Sequence, residues 1–218
     1  MILDIQPISQ LDDRWQNERL GTSYTTIGQY GCLLTCVAML LKFYGHDTDP
    51  KRLNTWLKEH AGYQSGNLFV WGSLPVLDKR LSVNYSGNID AQLEKGIPSI
   101  VKVDMIPSTS VVDEHWVLVV GKQGNEYIIN DPKDGAQVVF NDRYGDPATK
   151  IYNVASYDAA VPDPDPELPG EDEYISALMC LPEILDELKR SNELAERRNV
   201  LLESNYKLVE AYAPWRKQ

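Results

Sequence analysis

The chain has 218 residues with 32 acidic side chains, 21 basic ones and three histidines, a formal net charge of -11. No clustered Lys/Arg patch offsets that charge, so nucleic acid and anionic membrane surfaces are excluded as default partners. A hydrophobic content of 43% with 24% charged residues excludes wholesale disorder, and no apolar run is long enough to span a bilayer. The acidic start MILDIQPISQLDD lacks the basic flank of a secretory signal, so a soluble protein, cytoplasmic or virion-associated, is expected.

In chain order, GCLLTCVAMLLKFY (31–44) is apolar on nearly all sides and predicts a buried helix stopped by Gly45. A second helix is expected after Asp49-Pro50, where Asp49 suits an N-cap, Pro50 a first turn, and Leu53, Trp56 and Leu57 share one face. Residues 71–81 and 89–95 carry less regular helical patterns. The period then changes. SIVKVD (99–104), HWVLVV (115–120), EYIIN (126–130) and AQVVF (136–140) are short and rich in Val and Ile, and Gly, Asp-Pro and Asp-Gly turn signals divide them. GKQGN (121–125) reads as a hairpin loop. Helices followed by strands predict an α+β domain over residues 1–157, with a mainly antiparallel sheet packed on the long helix.

Charge separates the remainder. Residues 158–173 hold seven acids, four prolines and no base, which predicts an acidic linker. Residues 174–218 are neutral, with seven acids and seven bases. From Glu183 to Tyr212 there is no Gly or Pro, and Leu185, Leu188, Ala195, Leu202 and Val209 follow a heptad-like seam with Asn192 and Asn199 in it. Such a stripe predicts a coiled-coil-like helix that either joins copies of the chain or a partner, or docks back on the first domain. A homo-oligomer is the favoured outcome.

Three cysteines, Cys32, Cys36 and Cys180, cannot form a disulfide framework, and no zinc-ligand spacing is present. Cys32 follows Gly31 at the start of the predicted buried helix, where unpaired backbone N–H groups and the helix dipole stabilise a thiolate. Cys36, one turn on, and Cys180 read as core residues. His115 opens a strand, and Asp131 ends the strand that the GKQGN loop folds against it, so Cys32, His115 and Asp131 form a coherent nucleophile, base and orienting group. His46 and His60 sit beside loop signals and read as solvated. Trp15, Trp56, Trp71 and Trp116 read as core by default, with a peptide or carbohydrate groove as the alternative.

QLDDRW, LGTSYTTIGQYGCLLTCVAMLLKFYG and EHWVLVVGKQGNEYIINDPKDG together resemble the C39-like branch of the papain-type cysteine peptidases over about residues 5–157. That resemblance implies a papain-like fold, Cys32 as nucleophile, His115 as general base and acid, Asp131 as the group orienting the histidine, and neither metal nor cofactor. It implies Gln10 for the oxyanion hole. Gln29 competes for that role, because in bacteriocin-processing relatives the glutamine lies six residues before the cysteine, where this chain has Thr26. The transporter segments of export relatives are absent, which points away from leader-peptide export. The expected activity is a thiol peptidase or amidase, with peptides of the bacterial cell wall, cut by a phage or bacterial hydrolase, as substrate. The alternative is a structural or tail-associated protein using the domain as a binding or vestigial module. A cytosolic enzyme acting on isopeptide bonds is a third reading.

Overall fold

The computed structural model describes residues 1–106 and 114–159. The acidic stretch from 160 onward, the helix expected within 174–218, and Cys180 lie outside the described residues. The described helices are α1 (Ile27–Tyr30), α2 (Cys32–Phe43), α3 (Pro50–Glu59), α4 (Leu74–Leu77), α5 (Ile89–Glu94), α6 (Phe140–Tyr144) and α7 (Pro147–Lys150). The strands are β1 (Tyr63–Gln64), β2 (Leu68–Phe69), β3 (Leu81–Asn84), β4 (Ser99–Asp104), β5 (Glu114–Gln123), β6 (Glu126–Asp131), β7 (Ala136–Val139) and β8 (Ile151–Ala159). β1 and β2 form a separate small hairpin, while the other six make an antiparallel sheet in the order β3-β8-β4-β5-β6-β7.

Alternation along the strands sends apolar side chains to both faces, and a layer covers each. On one face Ile100, Leu118, Val120, Ile128 and Tyr157 pack against α2 and α3. On the other, Val101, Val103, Val117, Val119 and Ile129 pack against Ile89 and Leu93 of α5 and Phe140 and Tyr144 of α6. The all-round apolar character of α2 follows from its central place, with Cys36, Val37, Ala38, Met39, Leu40 and Leu41 fully buried. α3 is amphipathic. Its start is fixed as the sequence predicts, with Asp49 accepting from the Arg52 N–H at 2.9 Å and Pro50 in the first turn, and Leu53 and Leu57 turned inward.

The α+β expectation and the strands in 99–139 hold, with differences of one to a few residues at their ends. The helical reading of 71–81 does not. The chain makes a 3-10 turn over Trp71–Ser73, the four-residue α4, and then β3. Asp78 ends the helical stretch by accepting from both the Arg80 N–H at 3.0 Å and the Arg80 guanidinium at 2.7 Å. The same carboxylate lies 2.8 Å from His46 Nε2, so His46 is half-buried and paired, not solvated. Phe140 turns out of the strand register and begins α6. β8 is central to the sheet although no strand is read there from sequence, and it runs to Ala159, two residues into the acidic stretch.

β5 carries a bulge between Val119 and Gly121. Beyond the loop the pairing is Gln123 with Glu126; past the bulge it is Leu118 with Asn130, one residue out of the earlier register. A one-residue change of register flips which face a partner residue shares. Without the bulge Asp131 would sit opposite Leu118 and face α2. With it, Asp131 lies opposite Val117 and shares a face with His115, two residues further along β5. The chain start braces this point. Leu3 N donates to Val120 O at 2.8 Å and Lys122 N to Met1 O at 3.0 Å. A side chain at Gly121 would stand 2.5 Å from Met1 O, so the close approach requires glycine.

Candidate active site

Cys32 is the first residue of α2, and the reason for the preceding glycine is steric. Gly31 N donates to Ile27 O at 2.7 Å, closing α1 directly against the start of α2. A Cβ at Gly31 would lie 2.5 Å from that same carbonyl oxygen. Glycine thus lets two helices abut and leaves Cys32 at a helix N-terminus, with backbone N–H groups free of intrahelical partners.

His115 is 3% exposed and Asp131 0%. His115 Nε2 lies 2.8 Å from Asp131 Oδ1. That contact leaves Nδ1 free of Asp131, and Cys32 is the other side chain that acts on the ring. The imidazole therefore sits between a buried carboxylate and a thiol, with its tautomer assigned by the Asp131 contact. Burial alone would push the His115 pKa down. The hydrogen bond with Asp131, the hydrogen bond and charge of Cys32, and the charge of Asp131 reverse that and carry it up to about 9.

Asp131 has four donors. Oδ1 accepts from His115 and from the Lys133 N–H at 2.9 Å; Oδ2 accepts from the Tyr144 hydroxyl at 2.6 Å and from Arg143 at 2.8 Å. Burial alone would raise its pKa, but His115, Tyr144 and Arg143 outweigh it and hold the carboxyl well below the usual range. Arg143 also bridges to Asp134 at 2.8 Å. Sequence reasoning passes over Arg143 and Tyr144. They follow a strand in a polar NDRYGDP stretch that looks like solvated loop, and the only signal is an aromatic residue next to a glycine.

Gln10 is brought to the same place. Its backbone N–H donates to Pro132 O at 2.7 Å and its side-chain Nε2 to Gly28 O at 2.9 Å, so it ties the turn after Asp131 to the segment before Cys32. A carbonyl only accepts, which fixes the amide orientation with Nε2 toward Gly28 and leaves Nε2 a second hydrogen. Gln29 is exposed, and its Oε1 accepts from the Thr26 N–H at 3.0 Å at the start of α1. Thr26 and Gln29 are thus engaged in capping α1.

Cys36 is fully buried, donates to Trp116 O at 3.4 Å, and is pushed well above the ordinary thiol value by burial and then by the charges of Cys32 and Asp131. Cys32, His115 and Gln10 line a groove of about 810 Å³. Its remaining wall is largely apolar, with Leu20, Leu33, Tyr63, Leu68, Phe69 and Trp116. Of the four tryptophans among the described residues, Trp116 lines the groove. Trp71 packs behind it with ring centroids 5.6 Å apart, Trp15 is buried with its Nε1 donating to Ser9 O at 2.9 Å, and Trp56 stacks on the exposed His60. No group of His, Cys, Asp and Glu that could hold a metal ion is found among the described residues, and no described helix is long and apolar enough to cross a membrane.

Residues 2–160 match the model of the Peptidase_C39 like family. The chain belongs to that family. The family is one of peptidase-like chains, which supports a cysteine peptidase with peptides as the class of substrate. Two of the solved structures that resemble the chain are peptidases. A C39-like peptidase from Bacillus anthracis is 16% identical, with a TM-score of 0.45, covering 72% of this chain and 96% of that one. The peptidase domain of Streptococcus ComA, a bifunctional ABC transporter of a quorum-sensing pathway, is 17% identical, with a TM-score of 0.42, covering 66% and 98%. No curated protein matches the chain.

Proposed function

We propose that the chain is a thiol peptidase or amidase working through Cys32, His115 and Asp131. The observation that carries this reading is the buried imidazole held by the Asp131 carboxylate at 2.8 Å, with Cys32 at a helix start on the wall of the same open groove. Cys32 Sγ attacks the carbonyl carbon of the scissile amide, and the thiol proton resides on His115. The developing oxyanion is met by the Cys32 backbone N–H at the head of α2 and by the second hydrogen of Gln10 Nε2. His115 then passes its proton to the departing amine, leaving a thioester on Cys32. Water attacks the thioester, His115 takes its proton, and the acid product leaves as the thiolate returns. Asp131 keeps the imidazole oriented throughout.

The substrate we assign is the peptide part of a bacterial cell wall, cut by a phage or bacterial hydrolase, with residues 174–218 as the segment that assembles copies of the chain. The alternative is a virion or tail protein that keeps the domain as a binding module. Incubation of wild type and Cys32→Ala with purified cell wall and with a mixed peptide library separates these. New amino termini released from the wall by wild type alone are expected. Cleavage confined to the library would keep the peptidase and remove the wall, whereas no turnover of either would favour the binding module.

A further inference from the structure

Asp131 poses a problem that the dyad does not solve by itself. Its side chain is fully buried, a carboxylate has about four acceptor sites, and a buried charge is tolerated only when those sites are filled. His115 and the Lys133 N–H fill the sites on Oδ1. Both donors to Oδ2 come from a separate element, α6, on the face of the sheet opposite α2. That element is short, and Phe140 holds it in place. Phe140 is fully buried, and its ring lies one helical turn before Tyr144 with centroids 5.6 Å apart. Tyr144 is itself 3% exposed, so its hydroxyl has one place to point.

We propose that Tyr144 and Arg143 are positioning residues of the site: acting through Oδ2, they keep the Asp131 carboxylate ionised and fixed in orientation against His115. This rests on the peptidase reading above and extends it to a part of the chain that touches neither the groove nor Cys32. Tyr144 supplies a short neutral donor. Arg143 supplies charge, shared with Asp134 at 3.0 Å, so that the cation is spread over two carboxylates and does not override the attraction between His115 and Asp131. Among the described residues, the other ionisable groups around the pair are Cys32 and Cys36 from α2, Glu114 beside His115 on β5 with its partner Lys102 on β4, and Lys133 in the turn after β6. None of these supplies a donor to Oδ2.

When Oδ2 loses its donors, burial favours the neutral acid, and a protonated Asp131 no longer supports an imidazolium beside the Cys32 thiolate. The consequence is confined to acid pH. The test is the rate of Cys32 carbamidomethylation by iodoacetamide in the full chain between pH 4 and 9, resolved by peptide mass analysis, for wild type, Tyr144→Phe, Arg143→Met, the double variant and Arg143→Lys, with thermal melting as the control for folding. The double variant is expected to keep a rate near wild type above pH 8 while the acid limb moves up by about one pH unit, a tenfold loss of rate on that limb. Tyr144→Phe moves it part of the way, and Arg143→Lys lies closer to wild type than Arg143→Met. An unmoved acid limb in the folded double variant overturns the proposal; if that variant does not fold, an unmoved limb in both single variants does so. His115→Ala tells this failure from that of the peptidase reading: a Cys32 rate insensitive to His115 sinks both, whereas a rate that collapses without His115 beside an unmoved limb sinks only the role of α6.

Discussion

The site makes folding itself dependent on pH through His115. In the unfolded chain the imidazole titrates near its ordinary 6.5; in the folded chain Asp131 and Cys32 carry it up to about 9 against the opposing effect of burial. A group whose pKa is raised on folding binds its proton more tightly in the folded state. Its contribution is therefore fully present below 6.5 and is lost as pH rises through about 9. The interval corresponds to about 3 kcal/mol at full expression, a large share of a typical domain stability of about 5–15 kcal/mol. His115→Gln removes the titration and keeps a donor for the Asp131 carboxylate, whose other three partners remain. The assay is urea unfolding of both proteins at pH 6 and at pH 10, with the wild-type minus variant difference as the quantity of interest. That difference is expected to fall by about 3 kcal/mol across the window. The same pair in a Cys32→Ser background should show a smaller fall that stays above zero, because the hydrogen bond with Asp131 remains. A difference that does not change with pH would refute the inference that His115 is held as a cation beside the Asp131 carboxylate.

Three further outcomes follow from the geometry. Gly31→Ala drives a Cβ to 2.5 Å from Ile27 O, so it should lower stability by about 1–3 kcal/mol in urea unfolding and also slow Cys32 alkylation, since the start of α2 must shift. Gln10→Ala should cut kcat/KM on a cleaved peptide by about 10²–10³-fold while leaving the alkylation rate of Cys32 near wild type, because iodoacetamide develops no oxyanion. Equal loss in both assays would place Gln10 in the scaffold only. Phe140→Ala empties a fully buried site and should cost about 3–5 kcal/mol by the same unfolding assay, against less than about 1 kcal/mol for Tyr152→Ala at an exposed position.

The elements readable from sequence are those whose signal is local. α2 declares itself by unbroken apolarity, α3 by its cap and stripe, and β4 through β6 by Val/Ile runs between turn residues. β8 is missed because its pattern is diluted. Tyr152 is exposed, Ser156 is buried in a polar strip, and the strand exists through long-range pairing with β3 and β4 that no local window contains. β3 is missed because Leu74 and Leu77 extend an apparent helical stripe that Asp78 cuts by binding Arg80. Cys32 and His115 stand out on physical grounds, as a thiol at a helix start and an imidazole at a strand start. Asp131 and Gln10 gain their candidate roles from the family pattern more than from their own neighbourhood. The bulge that brings Asp131 onto the face of His115 is invisible in sequence except as Gly121, and the two donors from α6 depend on tertiary packing alone.

Whether His115 activates Cys32 decides the chemistry of the site. The direct measurement is the rate of carbamidomethylation of Cys32 at pH 6 in wild type and in His115→Ala. A free thiol, with a pKa of about 8.5, is less than about 1% thiolate at that pH. The expected result is a wild-type rate at least about tenfold above that of His115→Ala, and far above that of the buried Cys36. Equal rates in the two proteins would show that His115 does not activate Cys32.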